Sequence, residues 1–213
     1  SMTKIITDIL PDDNDPNYRI VYVDGVSEIT LPLATMKRLN LNIDQVWTDD
    51  LSHQVKAIED VEQARNMALN LITKKAWGVK ELATRLIKRG IDPTVATLAT
   101  EQLEADGWLD DFSYACARIR DWTRIEPASR FWLLQKLKER GLANEVSNLA
   151  LEEELGNRSE QDAANQLAIL RLAKVTSQDE TIIRRRVISA LSRRGFTTDV
   201  GAEALRMAQA KNA

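Results

Sequence analysis

Hydrophobic residues along this chain follow two rhythms. As far as Leu31 they come in short β-branched runs; from Leu33 onward they return every three or four residues. The first rhythm suits strands and the second amphipathic helices. Residues 4–10, 18–23 and 26–31 are predicted strands. The Pro11 to Pro16 cluster is a turn and Asp24-Gly25 a hairpin signal, so the three make a small antiparallel sheet. A sheet that small is marginal alone and is expected to pack on the helix after it. Pro32 opens a short helix at 33–39, and Asp44 is placed to cap the next segment. Val55, Ile58, Val61, Ala64, Ala68, Leu71 and Ile72 predict a long helix over 51–76, ended by Trp77-Gly78.

The helical part then repeats itself. Leu86-Ile87-Lys88-Arg89-Gly90-Ile91, Leu137-Lys138-Glu139-Arg140-Gly141-Leu142 and Leu191-Ser192-Arg193-Arg194-Gly195-Phe196 share one form, with glycines 51 and 54 residues apart. Gly just past a helix end takes positive φ without a Cβ penalty, and the basic residues before it face the negative end of the helix. The match extends outward. Leu82, Leu133 and Val187 stand four residues before the repeated Leu. Val95, Val146 and Val200 follow the glycines by five, and Ala99, Ala150 and Ala204 by nine. Predicted helices run over 79–89, 93–105, 111–124, 128–140, 144–155, 159–173, 180–194 and 198–210. Leu82, Leu86 and Ile87 form the inward stripe of the first of these, and Asp92-Pro93 caps the second. Glu152-Glu153-Glu154 reads as a solvated helix face. Each unit is a three-helix repeat, and neighbours stack.

Composition narrows the class. The chain has 213 residues, 44% hydrophobic and 29% charged, with 8 Gly and 5 Pro, which is helix-rich globular material. Residues 1–66 hold 12 acids and 6 bases, net −6; residues 67–213 hold 20 acids and 23 bases, net +3. An acidic head thus precedes a mildly basic body. One cysteine, Cys116, rules out an intrachain disulfide. No apolar run approaches the roughly 20 residues of a membrane span. Ser1-Met2-Thr3-Lys4 has no signal-peptide pattern, and Ser1 reads as an addition before Met2. A soluble, cytoplasmic monomer is the expectation.

Catalytic patterns are missing. The one histidine, His53, lies in an acidic segment, and no HExxH, CxxC, P-loop or GxGxxG pattern occurs. Cys116 between two alanines reads as tight helix packing. Asp110-Asp111 reads as a helix N-terminus, because adjacent residues on a helix do not face each other. No enzyme activity, cofactor or metal is expected. Arg184, Arg185, Arg186, Arg193 and Arg194 are the stronger signal. Two readings stand side by side: a stripe for phosphates or an acidic protein surface, and a solvated face with charges that complement a helix end. Trp47, Trp77, Trp108, Trp122 and Trp132 could stack bases, but packing is favoured for each; Trp77 and Trp108 beside turn glycines suit inter-repeat packing.

These features together resemble the RecX family of bacterial recombinase regulators. The residues that carry the resemblance are Gly107-Trp108-Leu109-Asp110-Asp111-Phe112-Ser113-Tyr114-Ala115, the three Leu-x-x-Arg-Gly closures, and the head with Thr3-Lys4-Ile5 and residues 18–25. Ser113 stands where the family favours Arg, and Ile125-Glu126-Pro127-Ala128-Ser129-Arg130 replaces a glycine-containing turn. The resemblance implies a non-enzymatic protein that settles in the groove of the RecA–DNA filament and inhibits recombination, ATP hydrolysis and coprotease activity. The fold expected is mainly α: an N-terminal β-leader over 1–50, then three-helix repeats over 51–110, 111–156 and 157–213 in an elongated, curved array. Gly90, Gly141 and Gly195 are structural closures. Arg130, Lys138, Arg140, Arg184, Arg185, Arg193 and Arg194 are candidates for touching RecA or, weakly, DNA, and the exposed face is expected to carry Arg130, Lys138, Arg185 and Arg193. The rival is a helical-repeat DNA-binding protein that acts without RecA.

Overall fold

The computed structural model describes residues 2–213; the reading of Ser1 as an added residue lies outside them. The chain divides into two compact units, Ser1–Asn66 and Met67–Ala213. The division coincides with the change from the acidic head to the basic body.

The first unit begins with three strands, β1 (Ile6–Pro11), β2 (Tyr18–Val23) and β3 (Val26–Pro32), paired antiparallel in that order. The β2–β3 turn has Asp24 and Gly25 at φ 50° and 78°. Both are positive, as a type I′ turn requires, and its twist matches that of the strands. Val21 and Val23 face inward with Ile6 and Leu31. Helix α1 (Leu33–Leu39) starts after Pro32, whose missing N–H costs nothing there. Met36, Leu41, Trp47 and Val55 complete the core. Trp47 is thus a packing residue. Helix α2 (Asp49–Ile72) starts two residues earlier than expected. Thr48 sets that start: its Oγ1 accepts from the Leu51 amide at 3.1 Å. Asp44 does not cap it. It sits in a left-handed turn at φ 66°, its amide bonded to the Ile6 carbonyl.

In the second unit α2 ends at Ile72, four residues short of the expected 76. The Lys74 amide turns back to the Leu71 carbonyl, and the Trp77 indole N–H donates to the same oxygen at 3.2 Å. Eight helices follow: α3 (Val79–Lys88), α4 (Pro93–Ala105), α5 (Asp111–Ile125), α6 (Arg130–Glu139), α7 (Asn144–Leu155), α8 (Glu160–Leu172), α9 (Glu180–Arg193) and α10 (Thr198–Lys211). Three hydrophobic clusters form in chain order. One joins the end of α2 to α3 and α4, one joins α5 to α7, and one joins α8 to α10.

The register read from sequence is the register of burial. Leu82, Leu133 and Val187 are fully buried, as are Leu86, Leu137 and Leu191 one turn on. Ala99, Ala150 and Ala204 have no exposed surface, whereas Val95, Val146 and Val200 are half-buried at the border. In the second and third repeats the first and third helices face each other through small side chains. Ala115 and Cys116 stand on α5 with Ser147 and Ala150 on α7; Ala164 and Ala168 stand on α8 with Ala204 on α10. Small residues let helix backbones come close, and the larger Leu side chains of the middle helix fill the rest.

Three further details depart from the sequence reading. Ile87 is 39% exposed and lies outside the stripe, because its neighbours Leu86 and Leu82 already fill the inner face. Trp108 is 58% exposed, so its ring is not a buried packing residue; its amide is bonded to the Leu103 carbonyl at 2.8 Å. Glu154 is turned inward to pair with Arg120 on α5, while Glu152 and Glu153 stay in solvent.

Candidate functional site

Each hexapeptide closes the middle helix of its repeat. Gly90, Gly141 and Gly195 have φ of 96°, 80° and 82°. The glycine amides bond the carbonyls of Ile87, Lys138 and Ser192, and the next amides bond those of Leu86, Leu137 and Leu191. That pair of bonds is the Schellman closure, and it returns the apolar residue after Gly onto its own helix. Leu142 and Phe196 are buried there, and Ile91 half-buried.

Two of the three closures also dock on the repeat before them. A Cβ on Gly195 would stand 2.3 Å from the Ser129 hydroxyl and 2.7 Å from Trp132 Cβ; one on Gly141 would stand 3.1 Å from Lys80 Cβ; one on Gly90 would meet nothing. Ser129 caps α6, and Lys80 lies in the first turn of α3. So the closure of each later repeat sits against the start of the middle helix in the earlier one. A second tie accompanies it. Asp111, first residue of α5, accepts from the Val79 amide at 2.9 Å, and Glu160, first residue of α8, accepts from the Arg130 amide at 3.0 Å. Both amides belong to the first residue of a helix, where no intrahelical partner exists. The Asp110-Asp111 pair therefore has two jobs. Asp110 caps its own helix through the Phe112 and Ser113 amides, and Asp111 caps the helix next door. The Ser113 hydroxyl adds a bond to Asp110 at 2.8 Å, and this hydroxyl contributes most to holding the Asp110 carboxyl below its usual range.

This geometry re-sorts the basic candidates. Arg194 points inward: its guanidinium donates to the carbonyls of Trp122, Glu126 and Pro127 at 3.2, 2.7 and 3.2 Å, and stacks 4.0 Å above the Trp132 ring. Burial lowers its pKa from the usual arginine value. Trp132 in turn meets Trp122 edge-on at 5.9 Å. Arg140 reaches Glu81 Oε1 and the Tyr114 hydroxyl, each at 3.2 Å. Arg130 is half-buried, bonded to the Gly156 carbonyl and to Glu152, so it is not on the exposed face expected for it. Arg194 and Arg140 are spent on joining repeats, and Arg89, with no earlier repeat to meet, is exposed. Lys138, Arg184, Arg185 and Arg193 do lie at the surface. The sequence hid this split, because an Arg before Gly complements a helix end whether or not it also reaches a neighbour.

Two clefts result. Between the first and second repeats lies a cavity of about 560 Å³, walled by Trp77, Lys80, Glu81, Arg85, Lys88 and Arg140 among others. Lys75 sits 3.7 Å over the Trp77 ring there. The Tyr114 hydroxyl donates to Glu81 at 2.7 Å; burial first, then this bond and charge, push its pKa up. Between the end of α8 and α9 lies a cleft of about 380 Å³, lined by Arg171, Lys174, Arg185, Arg186, Ser189 and Arg193 among others. No group of His, Cys, Asp and Glu among the described residues is placed to hold a metal ion. His53 is exposed, and Cys116 is buried in the α5–α7 core, where burial raises its thiol pKa. A raised pKa keeps a thiol protonated and unreactive. No helix among the described residues is long and apolar enough to cross a membrane.

Comparison with known proteins gives one consistent result. No family model matches the chain. A protein of Mycobacterium ulcerans (strain Agy99) named "Regulatory protein RecX" is 34% identical over 148 residues, which covers 67% of this chain and 82% of the relative. Its counterpart of the same name in Mycobacterium avium (strain 104) is 32% identical over 143 residues, with the same coverage. Among solved structures, one described as "Crystal structure of regulatory protein RecX" superposes with a TM-score of 0.78, covering 96% of this chain and 99% of the other at 16% identity. At that identity the likeness is one of fold.

Proposed function

We propose, from the fact that this chain belongs to the RecX family of regulatory proteins, that it regulates RecA by binding the RecA–DNA filament and lowering its recombinase, ATPase and coprotease activities. The observation that carries the reading is the family membership itself. The relatives are named regulatory proteins, not enzymes. A tandem fold supports it physically. Three-helix units over 51–110, 111–156 and 157–213 offer matched faces to a partner that is itself a repeating polymer. Several weak contacts then act at high effective concentration, so no single hot spot is needed. The contacts fall to exposed cations, Lys138, Arg184, Arg185 and Arg193, while Arg130, Arg140 and Arg194 hold the scaffold. The chain acts as a monomer in the cytoplasm, without a cofactor.

The test is co-sedimentation with RecA filaments on single-stranded DNA, alongside a strand-exchange assay. The chain is expected to pellet only when RecA is present and to slow strand exchange. If it pellets equally with naked DNA and leaves exchange unchanged, the rival reading, a DNA-binding array independent of RecA, replaces this one. The basic cleft of the third repeat is the feature that favours that rival; the net charge of −3 opposes it.

A further inference from the structure

Three clefts border the basic residues, and they differ in their counter-charges: one of about 640 Å³, which shares Arg185 and Ser189 with the cleft between α8 and α9, is lined by Glu180 as well as Arg184. The cleft between the first and second repeats contains its own counter-charges, Glu81 and Glu139. The cleft between α8 and α9 has no acidic residue in its lining. Arg171 and Lys174 enter it from the end of α8, and Arg185, Arg186 and Arg193 from α9. Arg171 pairs with Glu126 at 2.6 Å, and its Nε is buried with no hydrogen-bond partner. Lys174, Arg185, Arg186 and Arg193 have no carboxylate partner among the described residues. Arg185, Ser189 and Arg193 recur every four residues, so they project from one face of α9 with a hydroxyl between two guanidinium groups.

Four uncompensated cations around about 380 Å³ repel one another. The carbonyl end of α8 offsets this only by about half a charge. We propose that this cleft is a receptor for closely spaced phosphate groups. Guanidinium forks match phosphate oxygens two by two, and linked phosphates bring several negative charges into a small volume. Side-chain carboxylates of an acidic peptide bring one charge per residue, each on a stem that must be ordered at an entropic cost. The phosphates belong either to a free phosphate chain or to the backbone of a nucleic-acid strand. The site needs no RecA, so it stands or falls separately from the filament reading.

The experiment uses the full chain in phosphate-free buffer. Three probes are titrated: tripolyphosphate, a labelled single-stranded oligothymidylate, and a polyglutamate peptide. Tripolyphosphate is expected to bind, and polyglutamate more weakly. Arg185→Glu combined with Arg193→Glu is expected to weaken tripolyphosphate at least about tenfold, because two attractions become repulsions. Both side chains are exposed, so circular dichroism should not change. Arg185→Lys with Arg193→Lys keeps the charge but not the fork, and should lose only a few-fold. Lys138→Glu, on α6, should lose nothing. If oligothymidylate binding falls with tripolyphosphate in the double Glu variant, the strand backbone is the source; if only tripolyphosphate falls, it is a free phosphate chain. The proposal is overturned if wild-type chain binds neither phosphate probe. It is also overturned if the double Glu variant binds both as well as wild type, if Lys138→Glu weakens them equally, or if polyglutamate binds more tightly than either.

Discussion

The junction between the second and third repeats is built from the same parts as the junction between the first and second, but not from the same forces. In both, an Arg-Gly closure docks on the start of the preceding middle helix, and a carboxylate from the next repeat caps that helix. At the later junction the arginine spends itself on three backbone carbonyls and an indole face, and the Ser129 amide bonds the Arg194 carbonyl at 3.0 Å. At the earlier one it meets a carboxylate and a phenol beside an open cavity of about 560 Å³. Carbonyls do not titrate, and a half-buried guanidinium stays charged. The Tyr114 hydroxyl does titrate, and burial pushes its pKa up. One sequence motif thus sets one arginine on neutral carbonyls and an indole face and another on a carboxylate and a phenol.

The largest expected effect separates the three glycines. Gly195→Ala must strain φ and push Cβ into Ser129 and Trp132, at a cost of about 3 to 5 kcal/mol. Gly141→Ala meets only the Lys80 side chain and should cost about 2 to 3 kcal/mol, and Gly90→Ala, strained but unobstructed, about 1 to 2 kcal/mol. Urea denaturation of the three variants checks the order. Equal losses would mean that the docking adds nothing to the helix cap.

Next come the arginines. Arg194→Met leaves three carbonyls without their donor and should cost about 2 to 4 kcal/mol. Arg140→Met removes a half-exposed pair and should cost about 1 kcal/mol, and Arg89→Met should stay within about 0.5 kcal/mol. Hydrogen exchange at the Ser129 amide should accelerate in Arg194→Met and not in Arg140→Met.

The smallest effect is one of pH. The Tyr114 hydroxyl titrates above its ordinary 10.0 in the folded chain. As pH rises past that value the unfolded chain loses a proton that the folded chain keeps, so stability falls; below it the contribution is complete. Urea midpoints measured between about pH 9 and 11 should decline in wild type and decline less in Tyr114→Phe. A slope unchanged by the substitution would remove the tyrosine from the joint.

Much of this architecture is legible in the sequence because it rests on local rules. Gly at C′, Asp at N-caps and the 3.6-residue rhythm place the helix ends within a few residues, since each acts through its own backbone. The exceptions are instructive. Asp44 looked like a cap, but the chain turns left-handed there to pair with Ile6. Ile87 looked like core, but two leucines suffice for a narrow middle helix. Arg194, Arg140 and Arg130 looked like surface charges, and only the stacking of repeats turns them inward. Asp111 and Glu160 read as residues of their own helices, although the amides they satisfy lie about 30 residues upstream. Contacts between repeats leave no periodic trace, so the part of the surface left for a partner was the least readable part.

The central claim is that this chain regulates RecA through its filament. RecA ATP hydrolysis on single-stranded DNA, titrated with the full chain, tests it most directly. The rate is expected to fall as the chain approaches stoichiometry with RecA, and to fall less with Arg185→Glu, Arg193→Glu and Lys138→Glu combined. An unchanged rate at stoichiometric excess would contradict the account.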